Sequence, residues 1–145
     1  MAKGERGFTL VETLLVFSIF LLISSLAAAY IGPQASRLES RLFLSQLQSD
    51  LFFAQQYAIT RQQTISFYVF PDENRYIAVP PDSAAIIDRS YEEDITLYED
   101  TMKLSFRFLP SGNLSSFGSM YAEVGGDTYR ITFLIGKGRF YIVKE

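Results

Sequence analysis

The chain has 145 residues and a formal net charge of −3, and it contains neither histidine nor cysteine. This length accommodates one membrane span and one small domain. The absence of cysteine excludes disulfides and thiol chemistry, and the absence of histidine removes the commonest general base and a common zinc ligand. We therefore expect no enzyme and no cofactor, and a domain stabilised by packing alone, since most of the chain's 13 Phe and 9 Tyr residues fall after residue 40.

The first predicted element is an apolar helix. Phe8 to Ile31 comprises 24 residues, of which Glu12 alone is charged. At about 1.5 Å per residue this segment is about 36 Å long, which is enough to cross a hydrocarbon core of about 30 Å with some tilt. A lone carboxylate costs about 2.5–3.5 kcal/mol at the centre of such a helix and less near its end. We therefore expect Glu12 to require a positively charged partner.

The residues around the start of this helix resemble a known processing signal. Gly7-Phe8-Thr9-Leu10-Val11-Glu12 is similar to the cleavage site of type IV prepilins and pseudopilins. The resemblance implies that a prepilin peptidase cuts between Gly7 and Phe8 and methylates the new amino terminus at Phe8. It also implies that Glu12 meets the terminal amine of a neighbouring subunit during assembly. Such a contact replaces two unpaired buried charges with one pair.

The same resemblance implies the domain bounds and the topology. The leader would be 1–7, the transmembrane and assembly helix 8–31, and the exported pilin-like domain 32–145. Two basic residues precede the span and two follow it closely, namely Lys3, Arg6, Arg37 and Arg41. This near balance sets the orientation only weakly. Because prepilin leaders are cut on the cytoplasmic side, the resemblance implies a single-pass protein of the cell membrane with a cytoplasmic amino terminus, which reaches the cell surface after assembly.

Two simpler interpretations of the apolar helix stay open. A secretory signal peptide has an apolar core of about 7–15 residues and a small-residue cleavage site. The run here is longer and no clear Ala-x-Ala site closes it, although Ala27-Ala28-Ala29 offers small residues. The other interpretation is a plain membrane anchor in which Glu12 reaches toward the interface.

A second helical segment follows Gly32-Pro33, where we expect a kink or a locally melted turn because proline removes a backbone donor. The later pattern predicts an amphipathic helix of about 28 residues. Its apolar stripe consists of Leu38, Leu42, Leu44, Leu47, Leu51, Ala54 and Ala58, widened by Phe43 and Phe53. Seven polar residues fall largely off this stripe, namely Arg37, Glu39, Arg41, Gln48, Asp50, Gln55 and Gln62.

From residue 64 the apolar period changes to two, which is typical of strands. The expected strands are 64–70, 75–79, about 95–98, 103–109, about 119–124, 128–135 and 139–144. Gly125-Gly126-Asp127 and Gly136-Lys137-Gly138 are predicted hairpin turns. A helix followed by antiparallel strands indicates an α+β fold in which the long helix packs on an antiparallel sheet.

Residues 49–60 resemble the corresponding helix of the GspH/FimT-like branch of pseudopilins, and more narrowly that of ComGD-type competence pseudopilins of Gram-positive bacteria. Residues 136–140 are similar to the closing hairpin of the same branch. This resemblance implies a minor pseudopilin of the competence pilus, a structural subunit needed for DNA uptake in natural transformation. Its partners would be other pilins, the prepilin peptidase, the assembly platform and a motor ATPase. A minor pilin of a type II secretion system or a type IV pilus is the alternative.

A DNA-binding receptor is the alternative of another class. Four basic residues lie on or beside the last two strands among aromatic residues, namely Arg130, Lys137, Arg139 and Lys144. Such residues meet phosphates, and aromatic rings stack on unpaired bases. Some FimT-like minor pilins bind DNA through arginines of this region, but the second arginine of their motif is absent after Gly138-Arg139. An edge hairpin with charges that deter aggregation is the simpler interpretation.

Charge is distributed unevenly along the exported part. Residues 82–100 hold seven acidic residues and one basic residue, whereas 103–144 holds six basic and two acidic residues. The two stretches meet between subunits of a filament, or each is a solvated face, or they face each other within one fold. The carboxylates at 92–94 and 99–100 resemble calcium ligands in type only, because no glycine-turned ligand loop is present. We expect no metal there.

Overall fold

A computed structural model describes residues 9–136 and 138–145, without the side chains of 29–41. Helix α1 spans Leu10–Arg61, and a short 3-10 turn spans Pro71–Glu73. The strands are β1 (Ile65–Phe70), β2 (Arg75–Val79), β3 (Ile87–Ser90), β4 (Ile95–Glu99), β5 (Ser105–Phe108), β6 (Gly118–Val124), β7 (Asp127–Phe133) and β8 (Phe140–Lys144). The chain divides into two compact units, Met1–Leu38 and Glu39–Glu145.

The first unit contains the predicted apolar helix. Leu10–Ala28 has a mean hydropathy of 2.3 and is long and apolar enough to cross a membrane, and none of it is buried within the protein. Three hydroxyl side chains donate to carbonyls one turn earlier along the helix, namely Thr13 to Leu10, Ser18 to Leu14 and Ser25 to Leu22. These bonds satisfy polar groups that a lipid environment would leave without partners.

The break expected at Gly32-Pro33 does not interrupt the secondary structure. Helix α1 continues through both residues to Arg61. A proline deletes only one i→i−4 hydrogen bond, and the bonds of neighbouring turns keep the backbone helical. A melted turn is therefore not present there, and the alternative expectation of a kink stays a prediction.

The strands form two antiparallel sheets rather than the single sheet expected. Sheet A has the order β3-β2-β1-β5, and sheet B has the order β4-β6-β7-β8. Strand β3 was not predicted, because Ile87 is its only buried residue and the next three are exposed. A short edge strand of this kind carries no alternating apolar signal. The α+β class is confirmed.

The core of the second unit lies between helix α1 and the inner faces of the sheets. Five residues of the predicted stripe are buried, namely Leu44, Leu47, Leu51, Ala54 and Ala58. Phe106 joins the two sheets, since its ring lies 5.2 Å from that of Phe67 in sheet A and 5.2 Å from that of Phe133 in sheet B. Leu42 and Phe53 are 61% and 50% exposed, so the stripe is narrower than predicted.

Candidate assembly segment and basic hairpin

The candidate assembly segment is described from Thr9 onward; Gly7 and Phe8, the predicted cleavage site, lie outside the described residues. Thr9 caps helix α1, because its carbonyl oxygen and its Oγ1 accept the Glu12 amide at 3.0 and 3.3 Å. Glu12 is therefore the third residue of the helix, where a negative charge is favoured by the helix dipole. Its side chain is exposed and forms no ion pair with any described residue. This carboxylate is open to a partner from outside the chain.

The basic residues of the closing hairpin do not form one patch. Arg130 lies on β7 opposite Val143, and Lys144 lies opposite Tyr129. Successive side chains of a strand point to opposite faces, so Arg130 and Lys144 project from different faces of sheet B. Arg139 lies just before β8, about 17 Å of extended chain from Lys144. The fourth predicted residue, Lys137, lies outside the described residues.

Two of these cations are already paired. Arg130 Nε lies 2.8 Å from a Glu145 carboxylate oxygen, and its guanidinium lies 5.2 Å from the centre of the Tyr121 ring. Lys144 Nζ lies 2.6 Å from Asp127. Arg139 is exposed and makes no ion pair with a described residue. Among the described residues of the predicted set, Arg139 is thus the cation that makes no ion pair.

The acidic stretch forms no close ion pair with the basic one, although Asp100 lies near enough to Arg130 to interact with its charge. Asp88 forms a two-pronged pair with Arg75, with both distances 2.8 Å, and this hydrogen-bonded contact lowers the pKa of Asp88. Within 9–136 and 138–145, no ion pair connects an acid of 82–100 with a base of 103–144. The interpretation that the two stretches face each other inside the fold is therefore not supported by these contacts. The same residues contain no group of three or more Asp or Glu placed to hold a metal.

Sequence reasoning missed two buried polar residues on helix α1. Asp50, 6% exposed, accepts hydrogen bonds from the Tyr76 hydroxyl at 2.8 Å and Gln46 Nε2 at 2.9 Å, and it pairs with Arg89 at 3.3 Å. Gln55, also 6% exposed, donates from Nε2 to the carbonyl oxygens of Gly112 at 2.8 Å and Gly138 at 3.2 Å. Their position off the apolar stripe gave no sign of this burial, because strands and turns distant in sequence bring their partners to the helix.

Comparison with known proteins agrees with this arrangement. Residues 2–28 match the family described as the prokaryotic N-terminal methylation motif. The structure of the minor pseudopilin EpsH from the type 2 secretion system of Vibrio cholerae superimposes with a TM-score of 0.58, covering 73% of this chain and 97% of that one, at 14% identity. The motif and the fold define a pilin-like protein with an apolar amino-terminal helix and a two-sheet domain.

The particular family follows from a full-length relative. The competence protein ComGD of Bacillus subtilis strain 168 is 30% identical over 141 residues, which cover 97% of this chain and 95% of that protein. The chain therefore belongs to the family of ComGD-type competence pseudopilins. Its role at the level of the class is that of a minor pilin-like subunit.

Proposed function

We propose that this protein is a minor pseudopilin of a competence pilus, a non-catalytic subunit needed for DNA uptake in natural transformation. The observation that carries the proposal is the similarity to a competence protein along almost the whole chain. A minor subunit of a type II secretion system is the second candidate. EpsH comes from such a system, but its likeness to this chain is one of fold.

In this proposal the peptidase removes residues 1–7 and methylates Phe8. The carboxylate of Glu12, exposed and without a described ion-pair partner, then meets the terminal amine of a neighbouring subunit. The apolar surface of Leu10–Ala28 keeps the subunit in the cell membrane, with its amino terminus in the cytoplasm, until an assembly platform and a motor ATPase add it to the filament. Residues 32–145 form the exported domain.

The pairing requires Glu12 during assembly but not during insertion. An unpaired carboxylate in the span is a cost, so Glu12→Leu inserts at least as well as the natural chain. We expect Glu12→Leu to be processed and membrane-stable, to be missing from sheared filaments, and to abolish transformation as the only copy. Ser18→Leu is the matched control, because the Ser18 hydroxyl bonds to the Leu14 carbonyl of its own helix and the change removes a polar group from the span without removing a charge. Normal transformation by Glu12→Leu contradicts the proposed pairing.

Processing is tested separately at Gly7. A side chain at this position obstructs the close approach of the backbone to the peptidase. We expect Gly7→Val to remain uncut, with an intact mass that retains the leader. A mature chain that begins at Phe8 in this variant refutes the assigned cleavage site.

Direct DNA binding is a second candidate function, supported by the exposure of Arg139. Two other members of the predicted set, Arg130 and Lys144, are paired with carboxylates and project from different faces. We therefore rank DNA binding below the structural role.

A further inference from the structure

One end of the unit Glu39–Glu145 carries an apolar groove of about 350 Å³. Its walls include Leu42 and Phe43 of helix α1, Tyr91, which follows β3, and Ile95, the first residue of β4. The rings of Phe43 and Tyr91 meet edge to face at 5.4 Å. Glu92 also lines the groove, and the next two residues, Glu93 and Asp94, are exposed beside it. We call this cavity and its acidic rim the groove.

The groove contains a hydroxyl that lacks a partner. The Tyr91 hydroxyl oxygen is buried and has no hydrogen-bond partner among the described residues. Burial also raises the pKa of Tyr91 to about 12. Buried polar groups almost always find partners, so this hydroxyl marks a place beside the groove that the described contacts leave incomplete.

The other end of the same unit carries an exposed apolar projection. Phe117, Leu134 and Ile135 are 62%, 39% and 73% exposed. Phe117 precedes β6 and Leu134 follows β7, and the adjacent residues Gly118 and Phe133 are paired, so these side chains share one end of sheet B. We call these three residues, together with the exposed Arg139, the tip.

Hydrogen bonds to the backbone hold the segment that carries the tip in place. The amide of Leu134 donates to the Arg139 carbonyl at 2.8 Å, which closes the segment. Gln55 on helix α1 holds the carbonyls of Gly138 and Gly112. A surface anchored in this way loses little freedom on binding, which favours its use as a docking element.

The groove and the tip lie at opposite ends of sheet B. Ile95 of the groove pairs with Val124, the last residue of β6, whereas the tip adjoins Gly118, its first residue. Seven strand residues separate the two ends by about 20 Å. Helix α1 agrees with this order, since Leu42 and Phe43 line the groove while Gln55 supports the tip. Arg89 also lines the groove, but it is paired with Asp50 at 3.3 Å, so the acids Glu92–Asp94 dominate the rim. The tip carries a cation.

We propose that the tip of one copy of this chain docks into the groove of a second copy, with Arg139 against Glu92–Asp94. Charge complementarity between two surfaces of one chain favours a second copy as the occupant. Contacts between different patches at opposite ends of a molecule are heterologous, so they do not close into a two-fold dimer and are compatible with a place in a helical filament. The inference rests on the proposed role as a filament subunit and names the surfaces through which the exported domains meet.

Cysteine crosslinking of the full-length protein in native membranes tests this contact. The natural chain contains no cysteine, so introduced thiols have no background from it. One tagged copy carries Ile135→Cys, and a second, differently tagged copy carries Glu92→Cys. We expect mild oxidation to produce a mixed-tag dimer in several-fold excess over the pair Ile135→Cys with Asp82→Cys. Asp82 is a matched control because it is an exposed acid in the turn before β3, at the end of that strand away from Tyr91.

Charge reversal gives a second readout. Arg139→Glu in the first copy is expected to reduce the crosslinked dimer several-fold, and Glu93→Arg in the second copy is expected to restore it. A mixed-tag dimer no more abundant than the Asp82 control, or a crosslink from Ile135→Cys to a different protein instead, overturns the proposal. Transformation without oxidant is measured in the same strains. Normal transformation without the dimer rejects the contact alone, whereas normal transformation after deletion of the gene rejects the proposed function.

Discussion

Replacement of Gln55 by leucine tests how the helix holds the turns of the two sheets together. Gln55 lies in the buried layer between Gly112, in the turn after β5, and Gly138, just before β8, and it donates to both carbonyls. Gly138 has φ +57°, and a Cβ there would overlap Gly112 O and Gln55 Nε2. The turns are therefore too close for a larger donor to replace the glutamine. Leucine has a similar size but no donor.

The expected loss follows from the two carbonyls that leucine leaves without this partner. A buried acceptor without a partner costs about 1–3 kcal/mol, so two cost about 2–6 kcal/mol. The added apolar surface of leucine offsets about 1 kcal/mol. We expect Gln55→Leu to lower the free energy of unfolding by about 3 kcal/mol, near the middle of this range. Gln55→Glu is expected to lower it further, because a buried carboxylate faces two carbonyl oxygens.

Urea unfolding of the fragment 34–145, which contains the compact unit Glu39–Glu145, measures this effect. With a slope of about 1–3 kcal/mol/M, the midpoint is expected to fall by about 1–3 M. Gln56→Leu is the control, since Gln56 is exposed and its replacement changes stability by about 0.5 kcal/mol or less. Equal midpoints for Gln55→Leu and Gln56→Leu would refute the argument that the buried amide stabilises the two turns.

Three further predictions concern the exported domain. The fragment 34–145 should melt cooperatively and at the same temperature with or without reductant or chelator, because it contains no cysteine and its described residues contain no metal cluster; a lower melting temperature in chelator instead supports calcium at 92–94 and 99–100. Stability should fall as the pH rises from about 10, because an unfolded tyrosine then ionises. In the folded protein Tyr91 has a pKa of about 12, so it keeps its proton where the unfolded chain loses it. Tyr91→Phe should therefore make the urea midpoint fall less steeply with pH, and an unchanged slope of midpoint against pH contradicts the burial of Tyr91. Duplex DNA binding by the fragment should be negligible in a salt titration. Our ranking of the two functions is rejected by micromolar binding with a salt slope near −0.9 per phosphate, if the double variant Lys137→Glu and Arg139→Glu loses this binding while filaments still form.

The candidate assembly segment could be recognised from sequence because its signal is local. The order of Gly7, Phe8 and Glu12 before an apolar run is readable without any tertiary contact, and the motif match over residues 2–28 agrees with it. The cleavage and the role of Glu12 stay predictions. The helix and most strands were also predictable. Apolar residues that recur about every 3.6 positions line one face of a helix, and those that recur every second position line one face of a strand.

The basic hairpin shows where local reasoning ends. Arg130 and Lys144 are near each other in the sheet, yet the alternation of neighbouring strand residues places them on opposite faces. The sequence supplied the cations, but the pairing register decided which of them share a surface. The carboxylates of Glu145 and Asp127 then engage two of them.

The sequence by itself determined an apolar helix with one carboxylate near its start, an amphipathic continuation and an α+β order of elements. These features depend on residues within a few positions of one another. Only the tertiary structure decided the division into two sheets, the edge strand β3, and the burial of Asp50 and Gln55. Gln55 meets partners 57 and 83 residues away, and Asp50 meets Tyr76 26 residues away. A polar residue can be buried when distant chain segments supply its hydrogen bonds, and no local pattern records where those segments will lie.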